Sequence, residues 1–175
     1  TVGPELGADS IKSGKIAAII AGILVLLFMI ASYGLFGLFA NVGLIVNIAL
    51  IFSIMAYFAA TLTLPGIAGI VLTIGMAVDA NVLIFERIKE EIKTNKSLYR
   101  AIELGYEKAL TSIIDANVTT FIAAVILFSL GSGPIKGFSV TLGIGIMTSV
   151  FTAVYLTRLL ISIYFGFKKP KILNL

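Results

Sequence analysis

The sequence predicts an all-α, polytopic membrane helix bundle: five transmembrane helices with a cytoplasmic amphipathic helical loop. Three observations carry this. From Ile16 to Val78, 63 consecutive residues include no charged side chain. Hydrophobic residues make up 59% and charged residues 13% of the 175-residue chain, against roughly 45–50% and 25% in soluble domains. One long polar segment, Arg87 to Lys108, interrupts the apolar remainder. A soluble fold of this size cannot hide so much apolar surface, because its outer faces must be polar. The mean hydropathy of +1.09 agrees. Soluble enzyme, DNA-binding module and disordered tail are excluded on this ground.

A crossing needs roughly 20 mostly apolar residues, so the uncharged run is too long for two spans and fits three. The first covers 16–36 and stops around Gly34, Gly37 and Asn41; the second covers 42–62. Pro65-Gly66 then breaks the chain, and the third covers 67–86. The fourth covers 111–130, Gly131-Ser-Gly-Pro134 turns the chain, and the fifth covers 137–165. The division is a periplasmic lead-in at 1–15, a five-span domain at 16–167 with its loop at 87–110, and a cytoplasmic tail at 168–175.

Orientation follows from Lys and Arg. The loop holds Arg87, Lys89, Lys93, Lys96, Arg100 and Lys108, and the tail adds Lys168, Lys169 and Lys171. Two spans separate these segments, so both lie on the cytoplasmic side and Thr1 lies outside, against the weaker vote of Lys12 and Lys15. A start at Thr1, with no basic-then-apolar leader, suggests a piece of a longer polypeptide. Within the loop, Ile88, Ile92, Ala101 and Leu104 recur at helical spacing, with a break at Asn95-Lys-Ser97 and an N-cap at Ser97. Two short amphipathic helices on the membrane surface fit this pattern; a solvated charged linker is the alternative.

Three ionisable residues fall inside predicted spans: Asp79, Asp115 and Arg158. Each costs at least about 2.5–3.5 kcal/mol at a bilayer centre, which argues for a use. Asp79 lies seven residues from Glu86, roughly 10 Å inside the cytoplasmic surface. Arg158 lies about as deep, and Asp115 is nearer the edge, so all three occupy one half of the membrane. The functional reading is a proton or cation relay. Burial favours a neutral carboxyl and a nearby guanidinium favours the carboxylate, so moving Arg158 would couple proton transfer to movement. The alternatives are a static ion pair and, for Asp115, an interfacial charge. Two segments match, Asp79-Ala-Asn-Val82 and Asp115-Ala-Asn-Val118. In this reading Asn81, Asn117 and Thr119 extend a polar strip beside the carboxylates. Thr73, Gly75 and Ala80 are small enough to let a partner helix close in.

Other signals are weak. The chain has no Cys and no His, so thiolate chemistry, disulfides and the commonest metal ligands are missing. Gly131 to Gly137 lacks phosphate-loop spacing. Asn95-Lys-Ser97 and Asn117-Val-Thr119 match a glycosylation pattern, but on the cytoplasmic side and inside the membrane. Net charge +4 and pI 9.4 reflect topology, so no nucleic-acid partner is expected. The expectation is a protein with no metal, no cofactor beyond protons as coupling ion, and no enzyme active site.

Several stretches resemble the SecD family of the RND superfamily. They are Thr1-Val-Gly-Pro-Glu-Leu-Gly7, Leu64-Pro-Gly-Ile-Ala-Gly-Ile-Val71, Gly75-Met-Ala-Val-Asp-Ala-Asn-Val-Leu-Ile-Phe-Glu-Arg-Ile88, Asp115-Ala-Asn-Val-Thr-Thr120, Gly133-Pro-Ile-Lys-Gly-Phe138 and Thr157-Arg158. The resemblance covers the whole chain and implies half of an RND-type membrane domain, the five spans that follow a large periplasmic domain. It further implies the bacterial inner membrane, SecF and the SecYEG translocon as partners, and proton-motive force coupled to preprotein translocation. Secretory preproteins would be met through the periplasmic domain, and the lipid bilayer surrounds the spans. In the family the aspartate matching Asp79 is implicated in proton transport, and Asp115 matches a second motif aspartate. The competing reading is an RND-like efflux or lipid transporter, which would share the aspartate; a static structural scaffold is a third.

Overall fold

A computed structural model describes residues 4–94 and 97–168, and every regular element among the described residues is helical. Asn95 and Lys96 of the predicted break, and Lys169 and Lys171 of the basic tail, lie outside the described residues. Four helical stretches are long and apolar enough to cross a membrane.

The first of these, α1 (Pro4–Tyr57), is interrupted at Gly34, whose φ of 51° and ψ of −120° are not helical. What the interruption does is shown by Asn41, whose Nδ2 donates to the Leu26 carbonyl at 3.0 Å. Fifteen residues of straight helix would separate these groups by about 22 Å. The two arms of α1, 4–33 and 35–57, therefore fold back along each other. Gly37 makes the closure feasible, because a Cβ there would overlap the Met29 carbonyl.

After 58–63 the chain enters α2 (Leu64–Thr94), which passes Glu86 without a break. Helix α3 (Leu98–Leu130) starts at Ser97, whose side chain accepts from the Arg100 backbone N–H. The two short surface helices expected within 87–110 are not found: the described residues there are the ends of the long helices α2 and α3. Their apolar positions explain the difference. Ile88, Ala101, Ile102, Gly105 and Tyr106 are buried, and a Cβ on Gly105 would run into Ile88. The amphipathic faces bury each other instead of lying on lipid. Lys108 closes the seam with a 2.6 Å bond to Glu91.

The last stretch runs through α4 (Pro134–Phe151), a π-helical turn (Thr152–Leu156) and α5 (Thr157–Lys168). Proline opens α4 at a position where its missing N–H is harmless. Helix α2 lies at the centre, against α1, α3 and α4. Its contact with α4 is tight because glycine faces threonine twice: Gly69 against Thr141, and Gly145 against Thr73. Small residues at such crossings let backbones approach where lipid offers no hydrophobic drive to associate. Of the three small residues expected on α2, Thr73 and Ala80 are buried, whereas Gly75 faces open space. Ile19, Leu24 and Leu27 are more than half exposed, as befits side chains that meet lipid.

Candidate functional site

Asp79, Asp115 and Arg158 sit on three different elements, α2, α3 and α5. One packed cluster connects them. Ala80, next to Asp79, Ile113, two before Asp115, and Ala153 and Ile161, either side of Arg158, all belong to it. The three ionisable residues therefore border one extended cluster, which also reaches Ile88, Ile102 and Tyr106. Their side chains do not converge within it. All three are exposed on this chain, and among the described residues no ion pair joins any two of them.

Asp79 opens on a groove of about 400 Å³ between α2 and α3, with Met76 and Leu83 on its own helix. Ser112, Asn117 and Thr120 face it from α3. The groove thus brings the aspartate of the first Asp-Ala-Asn-Val segment together with the asparagine of the second. Asn117 donates from Nδ2 to the Ile113 carbonyl at 2.7 Å, while its buried Oδ1 has no hydrogen-bond partner.

The expected polar strip is divided. Positions two apart on a helix do not share a face, so Asn81 points away from Asp79. It is 4% exposed, donates to the Ala77 carbonyl at 2.9 Å, and also leaves Oδ1 buried and unpartnered. The two segments repeat the same local arrangement, an asparagine bonded to the carbonyl four residues back. Asp115 and Thr119 form a second, exposed polar patch on α3, where Thr119 Oγ1 donates to the Asp115 backbone carbonyl at 3.1 Å.

Arg158 lies with its guanidinium 5.5 Å from the centre of the Tyr106 ring. Its place is set by the π-helical turn just before it. Thr157 donates both its backbone N–H and its Oγ1, the latter at 3.1 Å, to the Thr152 carbonyl. Gly43 of α1 sits against the same hydroxyl, where a Cβ would stand 2.8 Å from it.

Some features had no clear signal in the sequence. Tyr106 is one aromatic among many, and a π-turn has no marker comparable to proline. Asn47, fully buried with neither side-chain polar atom partnered, was hidden by its apolar surroundings. At the polar end Tyr33 donates to Glu86 at 2.9 Å, and Lys89 lies 4.5 Å from the centre of the Tyr33 ring.

The family described as "Protein export membrane protein SecD/SecF, C-terminal" matches residues 1–166. The protein translocase subunit SecD of Rhodobacter capsulatus is 58% identical over 171 residues, covering 98% of this chain and 31% of that protein. The SecD of Desulfurispirillum indicum is 57% identical over 175 residues, covering 100% and 34%. The chain thus spans about a third of the length of the curated relatives it matches. Among solved structures, SecDF from Thermus thermophilus, described as a translocon-associated membrane protein, superposes with a TM-score of 0.92. It is 42% identical, over 98% of this chain and 24% of that one. A SecDF structure in a form called Super-membrane-facing gives 0.85 at 44% identity, over 93% and 22%.

Proposed function

The chain belongs to the SecD/SecF family of protein export membrane proteins, and from that premise we propose that it couples proton-motive force to preprotein translocation. In this reading the chain crosses the bacterial inner membrane five times. The two arms of α1 count as separate crossings, the N-terminal end is periplasmic, and the joined ends of α2 and α3 are cytoplasmic with the basic tail. SecF supplies the facing half of the membrane unit, and SecYEG is the translocon it serves; the Thermus thermophilus relative is itself described as translocon-associated. Secretory preproteins are engaged by a periplasmic domain, and no covalent chemistry or cofactor other than the proton is involved.

One observation carries the reading: the Asp79 carboxylate, on an apolar helix, faces a groove and has no hydrogen-bond or ion-pair partner among the described residues. A structural ion pair would hold its partner. A carboxylate that must be met by something outside this chain is suited to taking and releasing a proton as that surface moves. Asp115 and Arg158, bordering the same cluster, are the further proposed members of the relay, with Asn117 beside Asp79, and Asn81 and Thr119 as outlying polar supports.

The test is export of a secreted reporter in cells whose full-length protein carries Asp79→Asn, with membrane abundance measured in parallel. Lost export at normal abundance is expected, because the amide keeps the shape but cannot carry a proton. Normal export would reduce Asp79 to a tolerated charge. Loss of drug resistance with export intact would favour an efflux role.

A further inference from the structure

We infer that Tyr106 is the positioning residue for Arg158: its ring is the seat that fixes where the guanidinium stands, nine residues before Asp115 along α3. The inference rests on the proton-coupling reading above and adds to it a residue and a mechanism. Arg158 is exposed, and among the described residues no carboxylate is within ion-pair distance of it. It lies over the Tyr106 ring, whose centre is 5.5 Å from the guanidinium carbon. That ring cannot drift. Tyr106 is 3% exposed and belongs to the large cluster with Ile84, Ile88, Ile102 and Ala153.

A guanidinium over an aromatic face is attracted by the ring quadrupole, and the attraction grows as water is removed. The planar fork suits this stacking better than an ammonium does. The contact also leaves the N–H donors available, since a ring face takes up charge without occupying them one by one. The arginine is therefore held in place yet free to donate to a carboxylate presented to it.

The backbone supports the same assignment. Arg158 follows directly on the π-helical turn Thr152–Leu156. Such turns insert one extra residue into a helix and recur at functional sites. Reversion to α-helical bonding would rotate everything beyond it by about 100° and carry Arg158 off the ring. The Thr157–Thr152 bonds and the close fit of Gly43 against Thr157 hold the turn in its observed register.

The Tyr106 hydroxyl has no partner, so the ring, not the oxygen, makes the seat. This separates two substitutions. The experiment uses full-length protein with its partner in inverted membrane vesicles. Export of a secretory precursor is measured at several imposed pH gradients, and the abundance of each variant is checked. Tyr106→Phe is expected to behave as wild type. Tyr106→Leu and Arg158→Gln should each lower the response of export to the gradient by about fivefold, the factor that a partly desolvated cation–π contact corresponds to. The double variant should fall no further than either single one, because one interaction is being removed twice. A loss of stability alone would scale export down equally at every gradient. If Tyr106→Leu fails to accumulate, Tyr106→Met fills the volume without a ring face and should give the same result.

A full gradient response with Leu or Met at position 106 would overturn the inference, as would losses that multiply in the double variant, or an Arg158→Gln variant that responds normally. Asp79→Asn in the same assay separates the two levels. If it loses the response and the Tyr106 variants keep it, only the seat fails. If it keeps the response, the proton-coupling reading itself fails.

Discussion

Gly34 is the residue on which the first hairpin depends. At φ 51° and ψ −120° it occupies a region that side-chain-bearing residues enter only at a strain of about 1–3 kcal/mol. Gly34→Ala should therefore lower the thermal midpoint of the purified protein in detergent. Gly22→Ala is the control: Gly22 lies within an arm of α1 and a Cβ there meets nothing within 4 Å, so helix propensity alone makes that change neutral or slightly stabilising. Equal midpoints for the two variants would show that the chain can turn without glycine. Gly34 was legible as a turn position because glycine and asparagine cluster there in an otherwise uniform apolar run. The ionisable residues were legible for the same reason, since charges stand out in such a run. Their facing was not. Composition marks Asp79 and Asn81 together, but the helical repeat sends one outward and the other into the core.

The same distinction governs whole elements. The helix start at Ser97 could be read from capping chemistry, whereas Pro134, read as part of a turn, proves to open α4. That α2 and α3 extend beyond the apolar zone and bury their amphipathic faces on each other could not be read, because an apolar stripe does not say whether helix or lipid covers it. The ion pairs of this extension differ in value. Arg87–Glu90 and Arg100–Glu103 are solvent-exposed i,i+3 pairs, worth roughly 0.2–1 kcal/mol or less. Lys108–Glu91 joins the two helices, and the Glu91 side chain is only 9% exposed. Lys108→Met removes a charge-assisted bond from a buried carboxylate and should cost about 1–3 kcal/mol. Arg100→Ala should change stability little. Thermal unfolding of the two variants in the same detergent decides it, and an unchanged midpoint for Lys108→Met would mean that the buried apolar contacts, not this bond, hold the seam.

At the scale of the molecule, the exposed surface is of two kinds. Leu24 and Leu27, both more than half exposed, are what a helix shows to lipid. The α2–α3 groove is different, because it combines Leu83 and Met76 with Asp79, Ser112 and Asn117. Leaving that carboxylate against hydrocarbon would cost about 2.5–3.5 kcal/mol, whereas a protein partner or trapped water can meet it. Hydropathy could not distinguish these faces, since both are apolar on average and only the packed helices reveal which side Asp79 takes. On the proposed function, the groove is therefore expected to face the partner subunit in the assembled complex. The described region has no cysteine to interfere, so Leu83→Cys and Leu24→Cys can be compared in full-length protein made free of other cysteines. Leu83→Cys should cross-link to a cysteine scanned along the partner's membrane helices and resist a lipid-soluble thiol reagent. Leu24→Cys should react with the reagent and form no such cross-link. Free labelling at position 83 in the intact complex would put the groove in lipid, and Asp79 would then need another source for its proton.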